Sequence, residues 1–195
     1  MPSLRRLPAF PLRAATVVLL MASGTPVQGQ DTRDPDRTFD AASGADPADV
    51  GSVDAIVAAL YDVISGPMGQ VRDQDRFRSL FTADARLIPT NAQAPDGYVA
   101  LTPDEYWARS AEQLAAIGFT EAEIGRTTET FGMVTHAFST YESYREDRGD
   151  PDTPFARGIN SIQILEAGGR FWIMSVMWDS ERPGNSIPDR YIGPR

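Results

Sequence analysis

Apolar residues recur at helical spacing through the first half of the folded part of the chain. Between Val53 and Ile64 they fall three or four positions apart, which predicts a helix capped by Ser52. A shorter pattern of the same kind predicts a second helix at about residues 75–82. Residues 102–105 combine Thr, Pro and Glu in the order of a capping box with proline at the first helical position. They predict the start of a third helix.

The period changes to two after Phe119. Four segments rich in β-branched and aromatic residues follow, separated by glycines and one polar loop, at residues 120–131, 132–145, 155–166 and 170–181. A short strand is also expected at 86–90. Helices first and an antiparallel meander afterwards define an α+β fold, in which three N-terminal helices pack on one face of a curved sheet.

The turns of the meander predict its register. Gly168-Gly169 is a two-residue hairpin signal that places Ala167 opposite Arg170, and the preceding hairpin then places Glu142 opposite Arg157. One sheet face therefore carries His136 and the other even-numbered residues of the segment at 132–145. The same face carries Arg157 and Gln163 on the next strand and Trp172 and Trp178 on the last. Because this face mixes aromatic and polar side chains, we expect it to be the concave one.

The N-terminus is typical of a secretory signal. Arginines precede an apolar run from Ala14 to Ala22, no acidic residue occurs before Asp31, and small residues surround Gly29. We therefore assign residues 1–29 to a signal peptide, which predicts a bacterial periplasmic or secreted protein with no stable membrane anchor after cleavage.

Three further segments follow the signal. Residues 30–51 contain six aspartates and almost no apolar side chains, which favours a flexible acidic linker. Residues 52–182 form the folded domain. Residues 183–195 contain three prolines and two glycines and are expected to be an irregular tail.

Composition excludes several functions. The chain of 195 residues has no cysteine, and all 18 basic residues are arginine, which removes thiolate chemistry and lysine Schiff bases. One histidine, His136, cannot make a three-histidine metal site, so we expect no metal and no cofactor. A net charge of −9 argues against a nucleic-acid partner, since phosphate binding needs a basic field.

The domain resembles the nuclear transport factor 2-like superfamily, also called the SnoaL-like or ketosteroid-isomerase-like fold, in a subgroup of exported bacterial proteins. The blocks that carry the resemblance are residues 77–85, 131–142, 157–163 and 171–178. It implies a cone-shaped sheet wrapped around the helices, a pocket between them, and frequent homodimers through the outer face of the sheet. Because this fold carries several kinds of enzyme and plain binding modules, it does not fix an activity.

The candidate catalytic residues are His136, Tyr61 and Glu142. His136 is the one side chain with an ordinary pKa near neutrality, and the dehydratases of the superfamily combine histidine with Tyr and Asp. A hydrogen bond from His136 to a neighbouring side chain such as Gln163, and an ion pair between Glu142 and Arg157, are the structural alternatives. The candidate ligand-binding residues are Arg157, Asn160, Gln163, Trp107 and Trp178.

These patterns leave three functions open. The first is an exported domain that binds a small apolar or aromatic ligand, with no assured catalysis. The second is a cofactor-free lyase, isomerase or hydrolase with His136 as general acid and base. The third is a structural dimer or accessory subunit.

Overall fold

The structure is a computed structural model that describes residues 44–90 and 96–193. Its helices are α1 (Pro47–Val50), α2 (Val53–Ile64), α3 (Gln74–Ser79) and α4 (Pro103–Ile117), and its strands are β1 (Phe81–Pro89), β2 (Thr120–Phe131), β3 (Val134–Tyr144), β4 (Ala156–Ala167) and β5 (Arg170–Ser180). None of the described helices is both long and apolar enough to cross a membrane. The predicted signal peptide, residues 1–29, lies outside the described residues.

The two long helices begin and end where the sequence predicts. The Ser52 side chain accepts a hydrogen bond from the Ala55 amide at the start of α2. Thr102 and Glu105 form the predicted capping box of α4, and Gly118 ends this helix in the left-handed conformation that glycine favours.

The acidic linker predicted at 30–51 is partly folded. Its last residues include α1, capped by Asp46, and Val50 is buried in the hydrophobic core. Asp49 forms an ion pair with Arg76 of α3, with the Asp49 Oδ2 and Arg76 Nε atoms 2.7 Å apart. The apolar Val50 and this ion pair fix the segment from residue 44 onward, while residues 30–43 lie outside the described part of the chain.

The sheet has the order β1-β5-β4-β3-β2. β2, β3, β4 and β5 form the predicted antiparallel meander. β1 is longer than the strand predicted at 86–90 and runs parallel to β5. The core lies between α2, α3 and one face of this sheet, where Phe77, Ile162 and Ile173 are fully buried.

The hairpin registers agree with the prediction until a bulge in β5. Glu142 pairs with Arg157 and Ala167 with Arg170, as expected. The register then shifts between Gln163 and Ile164, because Met174 is an extra residue on β5. Beyond this bulge the even-numbered residues of β5, instead of the odd-numbered ones, lie on the same face as Asn160. Trp178 is one of them.

The expected assignment of the two sheet faces is wrong. The face that packs on the helices carries small and polar residues of β3, among them Ala137 and Ser139, which are fully buried. His136 and Phe138 lie on the outer face. Small side chains allow α2 to approach the sheet closely, as the 2.7 Å contact between the Tyr61 hydroxyl and Ser139 Oγ demonstrates. Large outward side chains are accommodated by the C-terminal tail.

The tail crosses the outer face over β2 and β3. Thr140 Oγ donates a hydrogen bond of 2.6 Å to the Tyr191 carbonyl, and the Gly193 amide donates to the Ile124 carbonyl. The rings of Phe138 and Tyr191 pack edge to face at 5.0 Å. Thr140 is completely buried as a result. Up to residue 193 the tail has no regular helix or strand apart from a short 3-10 turn at Asp189–Tyr191.

Arg72 joins the end of α2 to the end of α4. Its guanidinium group donates to the carbonyl oxygens of Gly66 and Gln70 at 2.6 Å, of Phe119 at 3.2 Å and of Ile64 at 3.3 Å. Further donors reach the carbonyls of Pro67 and Leu114. Arg72 is buried and forms an ion pair with no carboxylate among the described residues, so its hydrogen-bonding capacity is used on the backbone.

Candidate functional site

A cavity of about 240 Å³ lies between the helices and the inner face of the sheet. Its walls come from α2, α3, α4 and all five strands. The lining residues are Leu60, Ile64, Phe77, Leu87, Tyr106, Leu114, Phe119, Glu121, Tyr141, Ser143, Phe155, Ala156, Asn160, Val176 and Trp178.

Aromatic rings make up much of the wall. Tyr106 of α4 packs edge to face on Trp178 of β5 with ring centres 6.0 Å apart, and it stacks on Phe77 at 5.9 Å. On another part of the wall, Phe119 and Phe155 are 6.2 Å apart. Trp107 packs behind Phe77 at 5.0 Å and contributes to the core. The walls therefore suit an apolar or aromatic ligand.

Glu121 supplies the charge in this cavity. It is the second residue of β2, and its side chain faces inward opposite Ser143. Ser143 Oγ donates to Glu121 Oε2 at 2.8 Å, and Asn160 Nδ2 donates to Oε1 at 3.4 Å. Burial raises the pKa of Glu121 to about 7, and the two hydrogen bonds oppose this rise without cancelling it.

A chain of hydrogen bonds leads away from Glu121. Asn160 Nδ2 also donates to the Tyr61 hydroxyl at 3.0 Å, and Tyr61 in turn contacts Ser139 Oγ. Ser139 donates to a carboxylate oxygen of Glu123. Asn160 is thus held by Glu121 on one side and by Tyr61 on the other, which fixes its amide at the cavity wall. Burial raises the pKa of Tyr61 above its ordinary value, so the phenol stays protonated.

The negative charge of Glu121 also affects the pKa of two further tyrosines. Burial raises the pKa of Tyr106 and of Tyr141 to about 12 in each case, and the negative charge of Glu121 adds to both shifts. The Tyr141 ring reaches its place because Gly158 has no side chain. A Cβ atom at Gly158 would lie 2.4 Å from the Tyr141 hydroxyl oxygen. The phenol groups are therefore neutral hydrogen-bonding groups at physiological pH.

The structure separates the three residues predicted as catalytic. Tyr61 is buried on the inner side, one hydrogen bond away from the cavity residue Asn160. His136 and Glu142 lie on the outer face of β3. The His136 Nε2 atom is 3.0 Å from Ser161 Oγ, so the histidine is tied to a neighbouring side chain, as the structural alternative has it, with Ser161 rather than Gln163 as the neighbour. The pocket of the cone is therefore not where His136 or Glu142 could act.

The five residues predicted to bind ligand are divided in the same way. Asn160 and Trp178 line the cavity. Trp107 belongs to the packing behind it. Arg157 and Gln163 are on the outer face, where Arg157 pairs with Glu142 at 3.2 Å and with Glu181 at 3.5 Å. The cross-strand ion pair considered for Glu142 and Arg157 is present.

Sequence reasoning missed Glu121 because the predicted register covered only the strands after Gly132, and a regular extension to β2 would have placed Glu121 opposite Tyr144. A bulge between Glu123 and Gly125 shifts the pairing by one residue and brings Glu121 opposite Ser143, on the face that carries Tyr141. A carboxylate on the inner face of a buried sheet is the signal that identifies the site.

A broader groove of about 640 Å³ beside α1 and α3 has a different character. It is lined mainly by charged residues, and its Asp49 and Arg76 neutralise each other. Across residues 44–90 and 96–193, no group of three or more His, Cys, Asp or Glu side chains is placed to hold a metal ion. The apolar cavity around Glu121 is therefore the candidate site.

Comparisons with known proteins identify the fold. The chain matches no protein-family model, and no curated protein sequence matches it. A protein of unknown function with a cystatin-like fold from Nostoc punctiforme aligns with a TM-score of 0.50 and 8% identity over 65% of this chain and 86% of that chain. An uncharacterized protein with a cystatin-like fold from Caulobacter vibrioides aligns with a TM-score of 0.50 and 13% identity, covering 68% and 89%.

Some of the other similar structures are named NTF2-like, after nuclear transport factor 2. One is an NTF2-like protein of unknown function from Silicibacter pomeroyi, with a TM-score of 0.46 and 15% identity over 66% of this chain and 92% of that chain. At such identities the likeness concerns the fold alone. The α+β fold that the sequence blocks implied, with a curved sheet packed on helices, is confirmed, and the chain shares it with the two cystatin-like neighbours.

Proposed function

We propose that this chain is a small-molecule-binding domain whose ligand, a compact apolar or aromatic compound, occupies the cavity around Glu121. The observation that carries the proposal is the cavity itself. It combines aromatic walls with a few converging polar groups, namely Glu121, Ser143 and Asn160. Small-molecule sites have this composition, because the walls supply affinity and the polar groups fix orientation.

The size of the cavity limits the ligand. At about 240 Å³ it lies just below the range of roughly 300–1,000 Å³ that is usual for drug-sized ligands. A compound with a single ring or a short branched chain fits this volume. Larger polycyclic ligands would require the walls contributed by Trp178 and Phe155 to move.

Filling the cavity is expected to abolish binding without unfolding the domain. Ala156 lines the cavity at the start of β4, so the variant Ala156→Phe places a ring in the space that the ligand needs. Indole is a suitable probe because it is aromatic and compact. Saturation-transfer NMR should detect indole bound to the wild type, and the signal should fall at least about tenfold in Ala156→Phe.

The matched control is Ala122→Phe, because Ala122 is an exposed residue of β2 outside the cavity wall. This variant should bind indole as the wild type does. Equal binding of indole to all three proteins would place the ligand elsewhere and contradict the proposal.

A proton-transfer enzyme is the second candidate, with Glu121 as the general base in place of His136. The observation in its favour is that burial raises the pKa of Glu121 to about 7, which suits a general base near neutral pH. The apolar walls shield this carboxylate from part of the solvent. Asn160 and Ser143 hold its two oxygens in place.

Elimination of 5-nitrobenzisoxazole tests this candidate without knowledge of the natural substrate. A carboxylate removes the ring C–H proton while the N–O bond breaks, and the product is a coloured cyanophenolate. We expect the wild type to accelerate this reaction and Glu121→Gln to lower kcat/KM by about 100-fold. The variant His136→Ala should retain the activity. A protein no faster than acetate buffer would remove the enzyme candidate.

Export and dimerisation complete the proposal. Residues 1–29 support export to the periplasm or the medium, and cell fractionation with and without these residues measures it. The exposed side chains of Met174 and Met177, on the part of the sheet away from the tail, support a homodimer through the outer face. A sedimentation velocity experiment that finds only monomer would contradict it.

A further inference from the structure

The lining of the cavity contains a negative charge and no positive charge. Glu121 is the one ionisable carboxylate among the fifteen lining residues, and none of the fifteen is basic. A ligand with a negative charge would therefore meet repulsion and find no compensating cation. A ligand with a positive charge would meet an opposite charge in a low-dielectric environment, where the attraction is strongest.

The hydrogen bonds of Glu121 stabilise its ionised form. Ser143 Oγ and Asn160 Nδ2 both donate to the carboxylate, one to each oxygen. A carboxylate has about four acceptor positions, so two stay free for a ligand. The Glu121 carboxylate can thus accept more hydrogen bonds than the two that the protein donates to it.

No cation of the protein neutralises this carboxylate within the described residues. The arginines pair with other groups, such as Arg126 with Asp54 and Arg157 with Glu142. Arg72, which is buried nearby in the fold, is engaged with backbone carbonyls. Buried carboxylates are ordinarily paired or protonated, and the ionised form of Glu121 finds no cationic partner among the described residues, so a ligand can supply one.

The aromatic walls favour the same kind of ligand. Tyr106, Trp178 and Phe77 form a connected group on one side of the cavity, and Tyr141 lies on another. Aromatic faces carry partial negative charge and attract ammonium groups, with tryptophan the strongest. A carboxylate combined with several aromatic rings is the environment in which proteins bind alkylated amines.

We propose that the ligand of the cavity is a compact organic cation, an amine or quaternary ammonium ion with apolar substituents, paired with Glu121 and held against the rings of Tyr106 and Trp178. This inference rests on the proposed binding function and names its ligand class. It also accounts for the size of the cavity, since a trimethylammonium group with a short chain is compact.

Choline and 3,3-dimethylbutan-1-ol provide the decisive pair of probes. They have nearly the same shape, and only choline carries a charge. At pH 8 we expect the full chain to bind choline at least about tenfold more tightly than the alcohol by isothermal titration calorimetry. In Glu121→Gln the preference should fall to about threefold or less. Glu129→Gln, a change of the same kind at an exposed position of the same strand, should keep it.

The possible outcomes separate the two proposals. Equal affinity for choline and the alcohol, or a preference that survives in Glu121→Gln, overturns the cationic ligand class. If indole binds in the same preparation, the binding function stands in that case. If neither indole nor either probe binds, both proposals are overturned. Circular dichroism of each variant verifies that loss of binding is not loss of fold.

Discussion

Replacing Arg72 with methionine should lower the free energy of unfolding by about 3–5 kcal/mol, because it removes the donors that serve several buried carbonyl groups. The carbonyls of Phe119 and Leu114 retain a backbone partner, from the Gly66 and Phe119 amides respectively. Those of Gly66 and Gln70 have no second donor within the described residues. Methionine fills much of the same volume, so the loss reports on hydrogen bonds rather than on a cavity.

Urea unfolding followed by circular dichroism measures this effect. Arg72→Lys should fall between the wild type and Arg72→Met, because lysine keeps the charge and loses the planar fork. The matched control is Arg109→Met on the exposed side of α4, which should change stability by less than about 0.5 kcal/mol. An Arg72→Met curve that superimposes on the wild type would show that water replaces the guanidinium without cost.

The second large effect is a pH dependence that Glu121 imposes on stability. In the folded protein its pKa is about 7, whereas the ordinary value is 4.5. The folded state therefore holds a proton that the unfolded chain releases as the pH rises above about 4.5. Stability from this group is complete below pH 4.5, declines between about pH 4.5 and 7, and is lost above pH 7. This difference in the pKa of Glu121 between the folded and unfolded states corresponds to about 3 kcal/mol in the free energy of unfolding.

Comparison with Glu121→Gln isolates this contribution, because the other carboxylates titrate equally in both proteins. Relative to the wild type, the variant should become more stable by about 2–3 kcal/mol between pH 4.5 and pH 8. Chemical unfolding at several pH values gives the difference directly. Glu129→Gln should show no such trend. A wild-type minus variant difference that is constant across this range would show that Glu121 is solvated in the folded state.

Helices and strand pairing could be predicted from the sequence because their signals are local. Ser52, Thr102 and Gly118 each satisfy backbone groups at a helix end, and the turn at Gly168-Gly169 fixes the register of β4 and β5 near it. The parallel pairing of β1 with β5 has no local signal. It depends on the packing of α3 and α4, which brings distant parts of the chain together.

The site was less predictable because its composition depends on which sheet face meets the helices. The large side chains His136 and Phe138 suggested an inner face, yet α2 requires small residues such as Ala137 and Ser139 beneath it. Periodicity separates two faces and does not identify the inner one. Asn160 and Trp178 line one cavity although the predicted register placed them on opposite faces.

The extra residue in β5 has a consequence for how the cavity can change. Because Met174 is an extra residue, the odd-numbered residues of β5 face the helices near the hairpin turn, and the even-numbered residues face them beyond the bulge. If the same strand ran without the bulge, the pairing of Ala167 with Arg170 would place Met177 opposite Asn160 in place of Trp178. The bulge in one strand therefore decides whether an indole ring or a thioether meets the ligand. Deletion of Met174 would straighten β5 and still leave Trp178 opposite Asn160, so the strand can lose its bulge without exchanging this wall of the cavity.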